Sequence, residues 1–585
     1  MSETLLQQLD PLDPAETISN LPTLPKTMLK WMFYGDGYDS LQVEEVEVPI
    51  NGPDELLVRQ DACGLCFSDT KVIALGPNHP RMAGRNLAAD PVTLGHEVSC
   101  TVVRVGENIK DQFTIGQRFI VQADVFYKGV SMAYGYAISG GLAEYSVIPV
   151  SMINGDEGCY LLPLNPIDGY VETALVEPWA CVVAAYNQSH RTGLQNEGKT
   201  LILVGPGADE IDCQNLFASS RPNSVHLLSE LEVLPASLNT ALTSLDVSRI
   251  ANSDIDWIEF KASATVGQGF DDILIFGNVN ADTISGAATT LANHGIVNFV
   301  KTKFNEKLSV DIGRVHYNWH HYLGTNSNDP FLSYAEERDA NLVHGGLSWF
   351  IGAGGPMGQM HVQRAVLHPN PPRRVVCTDI DDERLQSVVD RLGADAKERG
   401  IDLITINPNK ITTDEFNAML NELSEGKGFD DIVSLVPVAG LIEHSAEFLA
   451  PGGWLNIFAG VARGTMADLD INLIVEKRVR FIGSSGSSIA DMRETLSKVE
   501  TGELSTNASL AAIGGMRSAR EGIKAVKDGI FAGKTLVFPL IPDLPLTPLS
   551  ELESIYPTVH AKLKNGQFWT KEAEEEFLAI AQPKL

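Results

Sequence analysis

Up to about residue 150, apolar residues come in short runs broken by glycines and polar turns: Leu56-Leu57-Val58, Val98 to Val105, Arg118 to Val121 and Ala143 to Val147. Runs of that length predict strands, and so a β-rich unit. Ahead of it, residues 1–27 carry Pro11, Pro14, Pro22 and Pro25 without sustained periodicity and read as a leader. After about residue 198 the texture changes. Strand-like runs alternate with helical spacing, the rhythm of a parallel sheet. Leu201 to Val204 ends in Gly205-Pro206-Gly207, and Leu347 to Ile351 ends in Gly352-Ala353-Gly354-Gly355-Pro356-Met357-Gly358.

These two openings belong to a longer repeat. Gly267-Gln268-Gly269-Phe270-Asp271-Asp272-Ile273 recurs as Gly426-Lys427-Gly428-Phe429-Asp430-Asp431-Ile432. Leu291 to Gly295 parallels Leu449 to Gly453, Asp311-Ile312 parallels Asp470-Ile471, and Gly324 parallels Gly483, always 158 or 159 positions apart. Four matches in one register predict two copies of a single α/β unit, at 199–345 and 346–490.

The copies differ in what they can bind. In the second, the glycine turn runs into a helical spacing, and the strand Arg374 to Thr378 ends at Asp379, 21 positions after Gly358. Glycines there make the tight turn, admit a pyrophosphate and let helix and strand pack closely; the acid accepts bonds from the ribose hydroxyls. The glycine register stays open between Gly352, Gly354 and Gly358 with one residue inserted, and Gly354/Gly355 with Gly358. Asp379 would repel a 2′-phosphate, which favours NAD over NADP, although Arg384 lies on the same loop. In the first copy the turn continues Ala208-Asp209-Glu210, placing carboxylates where a pyrophosphate would lie, and no aspartate ends its next strand. That copy is expected to keep the fold and to have lost the dinucleotide.

The net charge is −31, which argues against a phosphate-backbone partner. Met1 to Ile18 has no basic region followed by an apolar stretch, no apolar run has the length of a membrane span, and seven cysteines in 585 residues make no disulfide scaffold. The expectation is a cytoplasmic protein with a small-molecule substrate and neither nucleic acid nor membrane as partner; a homo-oligomer is left open.

Three clusters before residue 180 carry metal-binding types: Cys63-Gly64-Leu65-Cys66-Phe67-Ser68-Asp69, Gly95-His96-Glu97 and Glu177-Pro178. Singly each has a duller reading: a core cysteine, a structural histidine, an acid opening a helix. Together, upstream of a dinucleotide fold, they suit zinc, which accepts thiolate, imidazole and carboxylate and in catalytic sites leaves one position open. Zinc acidifies an alcohol oxygen there, and a hydride can then pass to a nicotinamide.

With these pieces, and with Gly140-Gly141-Leu142-Ala143-Glu144-Tyr145, the chain resembles the medium-chain zinc dehydrogenases, within them the sorbitol and polyol branch and sorbose-phosphate-reductase-like members. The resemblance covers about 28–198 and 346–540. It implies a GroES-like β-barrel catalytic domain at 28–198 completed by 510–545. With it go two tandem doubly wound, Rossmann-like domains, a degenerate one at 199–345 and an NAD-binding one at 346–509, and a C-terminal extension at 546–585. Carried over, Cys66 and His96 would be ligands of one catalytic zinc, Glu97 a ligand or a close neighbour of one, and Glu177 the last protein ligand. Ser68 would pass the alcohol proton onward and Asp69 would orient His96. The cofactor would lie on Gly352, Gly354, Gly355, Pro356, Met357, Gly358, Asp379 and Arg384. The four cysteines of a second, structural zinc are missing, and Lys71 stands where the family often has a relay histidine, either as a relay or as a solvated charge.

The activity implied is reversible oxidation of a secondary alcohol on a polyol or sugar. Arg81 or Arg85 is expected to hold an anionic group such as a sugar phosphate, against the plainer reading of solvated loop arginines. A further expectation is that the copies meet edge to edge through Ile296 to Val300 and Trp454 to Phe458, covering strands otherwise exposed. The rival readings are a non-catalytic nucleotide sensor, a zinc-free quinone-reductase-like protein, and a regulatory ligand on the first copy.

Overall fold

A computed structural model describes residues 24–82, 84–251, 255–335 and 338–581; residues 1–23 of the expected leader lie outside them. The chain forms two compact units, residues 1–177 with 505–585, and 178–504. The first boundary thus falls at Glu177, not at 198. Among the described residues no helix is long and apolar enough to cross a membrane.

The first unit is built on one sheet. Its strands run, in spatial order, Thr547–Pro548, Leu510–Gly515, Lys534–Phe538, Leu56–Leu65, Glu97–Val105, Arg118–Val121 and Leu161–Pro163, with Tyr145–Ile148 also paired to Leu56–Leu65. Residues 546–581 are no extension. Leu549, Leu552, Val559, Trp569 and Phe577 pack into one core with Ala62, Val171, Leu175 and Leu536. Burying each such side chain contributes roughly 1.5–3 kcal/mol. The helix Lys571–Ala581 also brings Glu574 to the start of the helix Tyr170–Ala174, where its carboxylate accepts the N–H groups of Tyr170 and Val171 at 2.5 and 2.8 Å.

The second unit holds both copies. The first has a parallel sheet ordered Val247–Arg249, Ser224–Ser229, Lys199–Val204, Phe270–Phe276, Leu291–Val300, His321–Thr325; the second has Asp402–Ile406, Arg374–Thr378, Leu347–Ile351, Phe429–Ser434, Leu449–Ile457, Arg480–Ile482. Numbered along each copy, both read 3-2-1-4-5-6, the doubly wound order. The repeated Gly269-Phe270 and Gly428-Phe429 each open a fourth strand, with the same register shift after the phenylalanine.

One hydrophobic core runs through both copies, from Leu201 and Ile273 to Trp349 and Leu455. The seam is reciprocal. The helix Ile312–Asn318 of the first copy packs on strands of the second, and Asn472–Lys477 of the second packs on strands of the first. Leu308–Asp311 pairs antiparallel with Met466–Leu469. The side-chain amide of Asn472 accepts the Phe304 N–H and donates to the Phe304 carbonyl, both at 3.0 Å, whereas its counterpart Gly313 lies where a Cβ would come within 2.2 Å of the Ala462 carbonyl. The edges named from sequence are corrected: 296–300 and 454–458 lie one strand inside, and the strands that face each other are His321–Thr325 and Arg480–Ile482. Among the described residues each is paired as a strand only with its inner neighbour, so the two sheets abut without fusing.

Candidate metal centre and dinucleotide turn

Sheet register assembles the centre. Leu56–Leu65 runs antiparallel to Glu97–Val105, with Gly64 opposite Glu97, and on its other side to Lys534–Phe538, with Leu65 opposite Thr535. Cys66 therefore leaves its strand beside Glu97 and Lys534, residues far from it in sequence. Gly64 is needed for room: a Cβ there would lie 2.2 Å from Oε2 of Glu97.

Cys66 is the N-cap of the helix Phe67–Leu75, and Asp69 accepts its N–H at 2.9 Å through Oδ2. Oδ1 of Asp69 lies 3.5 Å from Nδ1 of His96, while Oγ of Ser68 lies 3.2 Å from Nε2 of the same ring. One carboxylate thus caps the thiol-bearing residue with one oxygen and stands beside the imidazole with the other, the position from which a ligand ring is commonly oriented. Ligand atoms of Cys66, His96 and Glu97 all lie within 4.8 Å of one another.

Glu97 is fully buried. Its Oε1 accepts from Nζ of Lys534 at 2.5 Å, and that ammonium also donates to the Leu65 carbonyl at 3.2 Å. Oε2 has no hydrogen-bond partner among the described residues. A buried carboxylate oxygen left bare costs several kcal/mol unless a cation meets it. Burial opposes charge on His96, yet Tyr136, Asp69 and Cys66 outweigh it and raise its pKa well above the usual value. Glu177 opens the helix Val176–Ala184. Burial pushes its carboxyl up to about 7; His96 and Lys534 oppose the rise and Glu97 adds to it. Donor set, bare oxygen and charge together fit a divalent cation such as zinc.

The remaining expected residues separate. Among the described residues Lys71 hydrogen-bonds to neither Ser68 nor His96; its ammonium lies over the Phe67 ring at 5.9 Å from the centroid. Arg85 is already engaged. It donates to the carbonyls of Asp90, Pro91 and Ala137 and to the Asp90 carboxylate, so it ties loops together and has no free fork to offer a phosphate. Arg81 pairs with Asp124 and stacks on Tyr136, whose ring lies 5.6 Å from that of His96. Sequence reading passed over Lys534 and Tyr136: a buried lysine or tyrosine has no local signature, and only strand pairing brings Lys534 to Glu97.

In the second copy, Gly352 makes the turn with φ +79°, and a Cβ on Gly354 would lie 2.5 Å from Cβ of Arg384 and 2.9 Å from Oδ2 of Asp379. On Gly358 it would lie 2.3 Å from the Gly352 carbonyl. All three positions demand glycine, so the turn uses Gly352, Gly354 and Gly358. Gly355 has open space around it and caps the helix Pro356–Leu367, with Pro356 in its first turn and Met357 next. Proline at the start of a helix suits the missing N–H there. Asp379 closes the neighbouring strand and accepts the Gly354 N–H at 2.9 Å. Arg384 sits in the next helix, 3.7 Å from Asp381. A glycine turn, a helix N-terminus and an acid fit a dinucleotide.

The first copy departs further than its sequence suggests. No helix opens at Ala208; the first is Gln214–Ser219, so no helix end points at the turn. Glu210 pairs with Lys301 at 3.2 Å. An acid is present after the second strand: Glu230 follows Ser229, which pairs with Val204 as Thr378 pairs with Ile351.

Comparison with known proteins agrees with this layout. Residues 52–154 match the Alcohol dehydrogenase GroES-like domain, and residues 356–501 match the Zinc-binding dehydrogenase family. The chain is 25% identical over 561 residues to mannitol-1-phosphate 5-dehydrogenase of Aliivibrio fischeri, covering 94% of this chain and 97% of that protein. It is 28% identical over 316 residues to L-sorbose 1-phosphate reductase of Klebsiella pneumoniae, covering 50% and 74%. The solved structure of 2R,3R-butanediol dehydrogenase from Bacillus subtilis shares the fold at 17% identity, with a TM-score of 0.50 over 88% of this chain and 99% of that one.

Proposed function

This chain belongs to the medium-chain zinc-type alcohol and polyol dehydrogenase family, and from that premise we propose that it interconverts a secondary alcohol and a ketone on a polyol or sugar phosphate, with one zinc and NAD. The observation that carries the reading is the set of Cys66 with the buried His96 and Glu97, their ligand atoms within 4.8 Å, with one oxygen of Glu97 bare. The names of the relatives just given supply the substrate class.

Cys66, His96 and Glu97 would hold the metal, with Glu177 as the fourth group. Zinc, when bound, supplies Lewis acidity toward an alcohol or carbonyl oxygen, and the dinucleotide supplies or accepts the hydride. Asp69 would orient the His96 ring, its Oδ1 lying 3.5 Å from Nδ1, while Nε2 faces the Ser68 hydroxyl. Lys534 neutralises one oxygen of Glu97 and so leaves the other for the cation. The Ser68 hydroxyl, 3.2 Å from Nε2 of His96, would take the alcohol proton and hand it outward. Asp379 would receive the ribose hydroxyls, which favours NAD over its 2′-phosphorylated form.

Metal analysis of the purified protein, with rates under NAD and NADP over a panel of polyols and their phosphates, tests this. The expected result is about one zinc per chain, turnover lost on chelation and restored by zinc, and a Cys66→Ser variant that neither retains zinc nor turns over. A metal-free protein with full activity would sink the reading.

A further inference from the structure

Basic side chains gather beside the metal centre without serving the metal or the dinucleotide. The guanidinium of Arg81 lies 5.0 Å from the centroid of the Tyr136 ring, and that ring lies 5.6 Å from His96 and 5.7 Å from His79. His79 accepts the backbone N–H of Arg81 at 3.3 Å through Nδ1. Burial foremost, and then neighbouring positive charge, hold His79 below its usual pKa. Asp124 takes one terminal nitrogen of Arg81 at 2.5 Å, and the rest of the guanidinium makes no hydrogen bond among the described residues. Arg81 is 36% exposed, open to a solute.

The chain around this cluster carries a net charge of −31. An anionic substrate is repelled by such a surface except where cations collect, and a local positive patch then both draws it in and orients it. We propose that Arg81, with His79 beside it, forms the subsite for the phosphate of a phosphorylated polyol or ketose, Arg81 gripping it by the guanidinium edge that Asp124 leaves open. This rests on reading the neighbouring centre as that of a polyol dehydrogenase. Arginine suits the task because its planar fork matches two phosphate oxygens at once. Asp124 has the opposite effect, since it competes for the guanidinium and repels the incoming dianion.

The test compares kcat/KM of the zinc-loaded enzyme under NAD for a hexitol phosphate and for the same hexitol, alongside calorimetric titration of the zinc-loaded protein with inorganic phosphate. The wild type should prefer the phosphorylated substrate. Arg81→Gln should lower that preference roughly 10- to 100-fold, Arg81→Lys should recover part of it, and Asp124→Asn should raise it. If Arg81 merely braces the loop, Arg81→Gln and Asp124→Asn break the same ion pair and shift both substrates in the same direction, which would overturn the proposal. So would equal use of the two hexitols by the wild type. Phosphate bound by the wild type and not by Arg81→Gln, in a protein that oxidises no polyol, would keep the anion subsite and remove the dehydrogenase reading. Polyol turnover with no phosphate preference and no phosphate binding would do the reverse.

Discussion

A single missing side chain decides whether Glu97 can face the other donors. Gly64→Ala places a methyl 2.2 Å from Oε2 of Glu97, and Glu97 cannot retreat because Lys534 holds its other oxygen. The expected outcome is a folded protein with metal affinity lowered roughly 10- to 100-fold, the range for disturbing groups that orient ligands, read by competition with a chromogenic chelator. Unchanged affinity would mean that Glu97 plays no part in holding the metal. At this scale the sequence was informative where chemistry is local. Cys66, Ser68 and Asp69 share one helical turn, and His96 neighbours Glu97, so their residue types alone marked them. Lys534 was invisible because strand register brings it to Glu97. Arg85 was misjudged because charge can be read from a letter, whereas the three carbonyls that occupy its donors cannot.

Among the elements, the C-terminal helix carries the most testable consequence. Glu574 is buried and satisfies two N–H groups at the start of Tyr170–Ala174. Glu574→Ala strips both, at a cost of about 1–3 kcal/mol for each buried donor left bare. The denaturant midpoint of the protein should fall accordingly, while Glu574→Gln, which keeps an acceptor, should fall less. Equal losses for the two variants would show that volume matters there, not hydrogen bonding. The alternation of strand-like and helical runs, and the repeat at 158 or 159 positions, make both parallel sheets legible in the sequence. The C-terminal helix was read as an appendage because an amphipathic stripe does not say which core it joins. The edges were misplaced by one strand because the true edge strands, His321–Thr325 and Arg480–Ile482, are short and carry polar residues.

For the molecule as a whole, buried imidazoles set a response to acid. Burial foremost lowers His190 to about 4, and His320, His321 and His361 to about 3, from an ordinary 6.5. All four lie in the unit 178–504. Below about pH 6.5 the unfolded chain takes up protons that the folded unit refuses until about pH 3–4. Their contribution to stability is therefore complete above pH 6.5 and falls as the pH drops, by up to ~1.4 kcal/mol per pH unit for each imidazole. Denaturant midpoints at pH 7.5 and 5.0 should show the loss, and His321→Gln should flatten it; a midpoint indifferent to pH across that window would refute the account. The seam between the copies has a different consequence. Two separate molecules joined by a twofold axis dissociate on dilution and must present the same residue from both sides. A covalent tether removes both conditions. The pairing survives at any concentration, and its halves are free to diverge, as they have where Asn472 clasps Phe304 and the matching place opposite holds only Gly313.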